Sequence, residues 1–246
     1  MTRTKDDTDE RKGGSVARRS RLDARDVPNY GLMEAARYLR LPVATLRSWV
    51  RGRSYPKLRG EGWFRPLITP ALDRPLLFSF TNLIEAHVLS AIRREHEIRL
   101  DRVRPALDYV RKRLGVGRPL AHQVFHTDGL DLFVEKFGET INVSRSGQRA
   151  LREIVEAYLR RIERDEAGLA IRLYPFARLS LDAPKLIVID PHRGFGLPIL
   201  MDSGVATSAV AERFKAGESM DELAVDYGCS SLEVSEAIRF ELPEAA

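Results

Sequence analysis

Between Tyr30 and Arg53 a helical apolar pattern stops, reverses over three residues and starts again. No other feature of the 246-residue chain constrains its fold as tightly. Leu32, Ala35, Ala36 and Leu39 recur at helical spacing, and Leu41-Pro42 interrupts them. A second helix is predicted from Val43 to about Arg51, with Gly52 ending it. The small Ala35-Ala36 pair lets the second helix approach the first closely, as a helix-turn-helix requires. Val43, Leu46 and Val50 share the inward face. Thr45, Arg47, Ser48, Arg51 and Arg53 are then presented outward, as the residues expected to bind DNA. Arginine pairs bidentately with guanine, and threonine or serine reaches base edges or phosphates. An ordinary helical hairpin with a solvated basic face would carry the same residues.

Charge is unevenly spread. Residues 1–60 hold 15 Lys/Arg against 7 Asp/Glu, whereas residues 207–246 hold 3 against 9. A basic end attracts phosphate and an acidic end repels it, so the two ends are expected to meet different partners unless both are merely solvated. The single cysteine, Cys229, excludes an intrachain disulfide and a multi-cysteine zinc site. No run approaches the roughly 18 apolar residues of a spanning helix, and the first residues lack an apolar signal core, so a cytoplasmic location is expected.

The fold class expected is mainly α with small β-hairpins, an α+β chain in four parts. Residues 1–27 read as a disordered basic arm with Arg18, Arg19 and Arg21, and residues 28–118 as a winged helix-turn-helix. Its wing strands are predicted at Pro66–Ile68 and Leu76–Phe80, followed by helices Leu83–Glu95 and Asp101–Leu114. Residues 119–190 form a central α+β segment. It is expected to hold a hairpin of Leu130–Val134 and Glu139–Val143, a helix Gln148–Glu166, and strands Arg172–Leu179 and Leu186–Ile189. Residues 191–246 carry three helices, Thr207–Lys215, Met220–Tyr227 and Leu232–Arg239, a second helix-turn-helix in outline. Its last helix is predicted to expose Glu233 and Glu236, which would repel phosphate. That unit is better suited to oligomerisation or partner binding, or is simply part of a core. Phe214, Leu223 and Ile238 are the expected dimer surface.

Catalytic signals are weak. His122 and His126 stand four apart with no third ligand nearby, and no phosphate loop, dinucleotide fingerprint or serine elbow is present. No enzyme, metal or cofactor is expected. Gly194-Phe195-Gly196 reads only as a loop.

The run Thr45-Leu46-Arg47 followed by Trp49 resembles the second helix of the MerR family of winged helix-turn-helix proteins. The resemblance implies a wing within Phe64–Phe80 and the two helices after it; the wing is longer and richer in proline than usual. The end of the chain resembles a small bacterial domain, the domain-of-unknown-function family 433. Phe214-Lys215-Ala216-Gly217-Glu218-Ser219, Glu222-Leu223-Ala224, Asp226-Tyr227 and Glu236-Ala237-Ile238-Arg239 carry that likeness. Together the two resemble a VapB-type antitoxin. The resemblance implies a homodimer that binds double-stranded operator DNA, represses its own operon and blocks a PIN-domain ribonuclease toxin, with no membrane partner. By charge, Arg18, Arg19 and Arg21 are the residues expected to reach the toxin, although the family places such contacts near the C-terminus. A one-component regulator sensing a small molecule in the middle region is the alternative, and a nuclease a third reading.

Overall fold

The computed structural model describes residues 23–56, 60–94, 100–141, 144–178 and 180–242. The chain is mainly helical, with short antiparallel strand pairs. Residues 23–27, placed by sequence in a disordered arm, form a docked turn instead. The Asp23 carboxylate caps the 3-10 turn Ala24–Asp26, and Arg25 pairs with Asp165 at 2.7 Å. Arg18, Arg19 and Arg21 lie outside the described residues.

Strand β1 (Tyr30–Gly31) leads into helix α1 (Leu32–Tyr38), whose first turn is closed by Glu34 accepting from the Gly31 N–H. Arg40, at φ 53, makes the left-handed reversal, and Pro42 starts α2 (Val43–Arg51). Gly52, at φ 72, ends α2; a Cβ there would lie 2.3 Å from the Phe64 carbonyl, so only glycine lets the next strand return so closely. Strands β2 (Arg53–Pro56) and β3 (Glu61–Phe64) form the wing, with Arg53 opposite Phe64 and Pro56 opposite Glu61. The wing thus lies earlier than the sequence reading placed it. Pro66–Ile68 is not a strand: the Leu67 and Ile68 N–H groups bond the Trp49 carbonyl and dock this segment on α2. Strand β4 (Leu77–Phe78) pairs with β1, not with the wing.

Helix α3 (Phe80–Arg94) is the axis of the fold. Leu83, Ile84, Ala86, Val88, Leu89, Ala91 and Ile92 are all buried, so it is covered on nearly every side. Reciprocal bonds between Ser79 and Asn82 cap it. Helix α4 (Leu100–Leu114) follows, then α5 (Leu130–Ile141) and α6 (Arg145–Leu159). The hairpin expected over 130–143 is therefore a helix. Leu130, Phe133, Val134 and Phe137 repeat with period 3.6 and are buried against α4 and α6. Gly138, read as the hairpin turn, is a packing glycine: a Cβ would lie 2.4 Å from the Gln148 side chain.

Helix α6 stops at Leu159, short of the predicted Glu166, and the chain turns into β5 (Ile162–Arg164), paired with β6 (Ala170–Leu173). Leu173 exchanges both backbone bonds with Ile189 at the end of β7 (Ile187–Val188), and β7 pairs with β8 (Ile199–Leu200). This chain of pairings ties the central segment to the C-terminal unit. Helices α7 (Thr207–Lys215), α8 (Met220–Tyr227) and α9 (Ser231–Glu241) close the fold. Ser219 and Ser230 cap α8 and α9, each with a glutamate three residues on. Glu233 is that partner for α9, its carboxylate 2.8 Å from the Ser230 N–H, and Glu236 is 1% exposed, held by Arg239 with Arg178 nearby. Neither faces solvent as the sequence reading placed them, so α9 owes no repulsive face to these two glutamates. One apolar cluster runs from Tyr30 to Phe240, through all the helical units. No helix among the described residues is long and apolar enough to cross a membrane.

Candidate nucleic-acid interface

The α2 face is built on Leu46, Trp49 and Val50, which are buried against Ala35 and Ala36 of α1, while Val43 is only half-buried. With that side fixed, Arg47 and Arg51 point to solvent and Arg53 follows on the first wing position, also exposed. The five residues chosen by sequence are brought together, but they are not equally free. The Thr45 hydroxyl accepts from Arg93 of α3, and Ser48 donates back to the Thr45 carbonyl at 2.7 Å. Arg51 donates to both the carboxylate and, at 2.8 Å, the carbonyl of Asp73. Of the five, the exposed Arg47 and Arg53 remain as candidates for phosphate or base edges.

Three neighbours of this face were not picked out by the sequence reading. Arg93 adds a cation at the edge of α2. Arg104 of α4 donates to the Arg65 and Pro66 carbonyls and lies over the Phe64 ring, fixing the base of the wing. Trp63 stands 60% exposed on β3, opposite Ser54. Periodicity finds none of these, because each depends on a contact between elements distant in sequence.

The Asp73 carboxylate cancels much of the Arg51 charge and holds its guanidinium in one geometry. A cation so held adds little to phosphate attraction but keeps a fixed fork for one base. Asp73→Asn is therefore expected to raise affinity for random duplex and steepen its salt dependence by about one unit. Filter binding across salt concentrations checks this, and an unchanged slope would remove Asp73 from the interface.

The reversal after α1 is bound to the far end of the chain. Tyr38 stacks on Phe240 with centroids 5.9 Å apart, Arg37 pairs with Glu241, and Arg40 donates to the carbonyls of Ala177 and Arg239. The three residues expected to form a dimer surface separate here. Leu223 is fully buried inside the α7–α9 unit and is a core residue, Ile238 is half-buried, and Phe214 is exposed. The His122 ring accepts from the Val124 N–H through Nδ1, and His126 is exposed. Among the described residues no cluster of three metal-ligating side chains occurs.

A family model described as "Putative DNA-binding HTH domain" matches residues 28–107, and one described as "Protein of unknown function (DUF433)" matches residues 187–240. The chain is 36% identical over 234 residues to "Putative antitoxin VapB45" of Mycobacterium tuberculosis (strain ATCC 25618 / H37Rv), covering 87% of this chain and 93% of that protein. It is 27% identical over 223 residues to "Uncharacterized protein Rv2308" of the same strain, covering 86% and 89%. The crystal structure of Rv2018 from Mycobacterium tuberculosis superposes with a TM-score of 0.61 at 29% identity, covering 86% of this chain and 98% of that one. With a helix-turn-helix domain in front and a DUF433 module behind, the chain belongs to the family of the protein named "Putative antitoxin VapB45".

Proposed function

We propose that this chain is the DNA-binding antitoxin of a type II toxin–antitoxin pair, repressing its own operon and neutralising a PIN-domain ribonuclease. The observation that carries the reading is the α2 face, with Arg47 and Arg53 exposed above a buried Leu46–Trp49–Val50 stripe. A MerR-like homodimer would set two such helices on successive half-sites. Phe214, exposed on the C-terminal unit as Met220, Val225 and Leu232 also are, is the residue of the expected dimer surface that stays available for pairing. The basic residues Arg18, Arg19 and Arg21 suit a ribonuclease site that holds its metal among carboxylates, because guanidinium groups can pair with those carboxylates.

The test uses the chain with its own promoter DNA and the ribonuclease encoded beside it. Arg47→Ala with Arg53→Ala is expected to weaken operator binding about 100-fold and flatten the salt slope by roughly two units. The same variant should inhibit the ribonuclease like the parent. Unchanged operator binding would reassign the reading helix, and failure of the parent to inhibit the ribonuclease would sink the antitoxin reading.

One observation favours the second reading, a one-component regulator. A cavity of about 220 Å³ lies between the first turn and the central segment, lined by Asp23, Arg25, Thr81, Arg118, His122 and Leu169. A small molecule that loosens operator binding while raising the melting temperature would establish that role.

A further inference from the structure

Phe195 is 94% exposed, and its backbone sits at φ 56, ψ 25. Residues with a side chain avoid this region because Cβ crowds the carbonyl. Its neighbours Gly194 and Gly196 are also left-handed, at φ 55 and φ 77. Neither can gain a side chain without collision: a Cβ on Gly194 would lie 2.8 Å from Ile199, and one on Gly196 would lie 2.7 Å from the Tyr30 hydroxyl. The loop is held by its carbonyls, with Asn29 Nδ2 donating to Phe195 O and Tyr30 Oη to Gly196 O, both at 2.9 Å. The fold therefore keeps a strained turn whose product is a phenyl ring in water. That ring gains nothing from the chain's own packing, and such over-determined strain collects at functional surfaces.

Beside the ring runs a groove of about 230 Å³, walled by Ala24, Val27, Tyr30, Phe80 and Pro191. Exposed His192 and Arg193 flank the knob. Residues 1–22 join the chain at Asp23, next to the groove wall, and carry seven Lys/Arg against four Asp/Glu. Fully extended, 22 residues span at most about 70 Å, ample to cross a small protein bound at the knob. The apolar knob and the point at which the basic segment joins the chain thus share one edge. The partner that fits has an apolar recess bordered by acidic side chains.

We propose that Phe195 and the adjoining groove are the docking site for the ribonuclease, the ring entering an apolar recess of that protein. The inference rests on the antitoxin reading above. It also gives the DUF433 module a task, presentation of the anchor from a turn braced against the DNA-binding unit. A single buried aromatic anchor commonly dominates an interface of this kind.

The experiment uses the full chain and the ribonuclease encoded beside it, with Phe195→Gly and Phe195→Leu. Glycine relieves the left-handed strain, so Phe195→Gly is expected to raise the melting temperature by about 2–4 °C. At the same time it should lower ribonuclease affinity at least 30-fold, with Phe195→Leu in between. Operator affinity and the mass of the free protein in solution should stay at parental values. Parental ribonuclease affinity in Phe195→Gly would overturn the proposal. So would a loss of operator binding, which makes the ring a DNA wedge, or dissociation of the free protein, which makes it a contact between copies. If the parent itself does not bind the ribonuclease, both this proposal and the antitoxin reading fall; if the parent binds and Phe195→Gly binds equally well, the antitoxin reading stands without the knob.

Discussion

Arg161→Met is expected to cost about 3–5 kcal/mol of folding stability, read as a shift in the denaturant midpoint at unchanged slope. Arg161 is 3% exposed and, among the described residues, has no carboxylate in hydrogen-bond contact. Instead Nε donates to the Tyr174 carbonyl at 2.6 Å, Nη1 to Ala183 at 2.8 Å, and Nη2 to Pro175 and Pro184 at 3.1 and 3.2 Å. Its guanidinium lies 4.2 Å from the Phe176 ring centroid. Between β6 and β7 the chain has no regular strand to satisfy those carbonyls, and one planar fork does so. Burial pushes the guanidinium down to about 10, still well above neutral pH, so it remains charged. Methionine fills much of the volume but takes the donor from three buried acceptors and one part-buried one, each a desolvation cost. Lysine should rescue little, because a single ammonium cannot span the four positions. Hydrogen exchange should localise the opening to residues 174–186. A methionine variant within 1 kcal/mol of the parent would show that water replaces the fork.

Such a group is invisible in sequence, where Arg161 is one of 40 cations. The legible elements were those with local punctuation. Helix α2 runs Val43–Arg51 as expected, because Pro42 starts it and Gly52 stops it, and α7 and α8 keep their expected bounds between a turn, Gly217 and Ser219. The errors arise where tertiary contact decides. Phe133, Val134, Phe137 and Thr140 favour strands by residue type, yet the spacing of the buried ones is helical and α4 and α6 cover them. Glu233 and Glu236 look solvent-facing by charge, but one caps its own helix and the other meets Arg239 of the same helix and Arg178 of the segment before β7. At the interface the same division holds. Arg47 and Arg53 were legible from helical phase, whereas the Asp73 and Arg93 contacts that hold Arg51 and Thr45 were not. A glycine-aromatic-glycine run was read as a plain loop; the signal in it was that an aromatic between two glycines has little reason to be there unless something uses it.

Acid titration is expected to give only a shallow fall in stability between pH 6.5 and 4.5, where partial burial also lowers the His126 ring, followed by a steep fall, and the shallowness is the informative part. Two buried groups on α3 oppose each other. Burial lowers the His87 ring to about 3, its Nε2 3.1 Å from the Tyr158 carbonyl and its ring against Tyr158 and Phe176, with Arg161 and Arg164 adding repulsion. An unfolded histidine takes up its proton near pH 6.5, so below that the unfolded chain binds more protons and stability falls with pH, by about 1.4 kcal/mol per unit, until pH 3. Burial raises the Glu85 carboxyl to about 7, against the opposing pull of Arg118, the Asn82 side chain and Arg111, with Asp26 adding to the rise. The folded chain therefore takes up this proton first, and stability rises as pH falls from 7 until the unfolded carboxyl titrates near 4.5, at a similar slope. From pH 6.5 to 4.5 the two slopes cancel; below 4.5 only the His87 loss remains of this pair, joined by the ion-paired carboxylates of Asp23 and Asp165. Glu85→Gln removes one arm, and its denaturant midpoint should drop steadily from pH 6.5 downward. His87→Phe removes the other, and its midpoint should climb from pH 7 to 4.5. If Glu85→Gln instead runs parallel to the parent across pH 6.5–4.5, Glu85 is ionised in the folded protein, and the charge would have to be held by Arg118 at the cavity beside it.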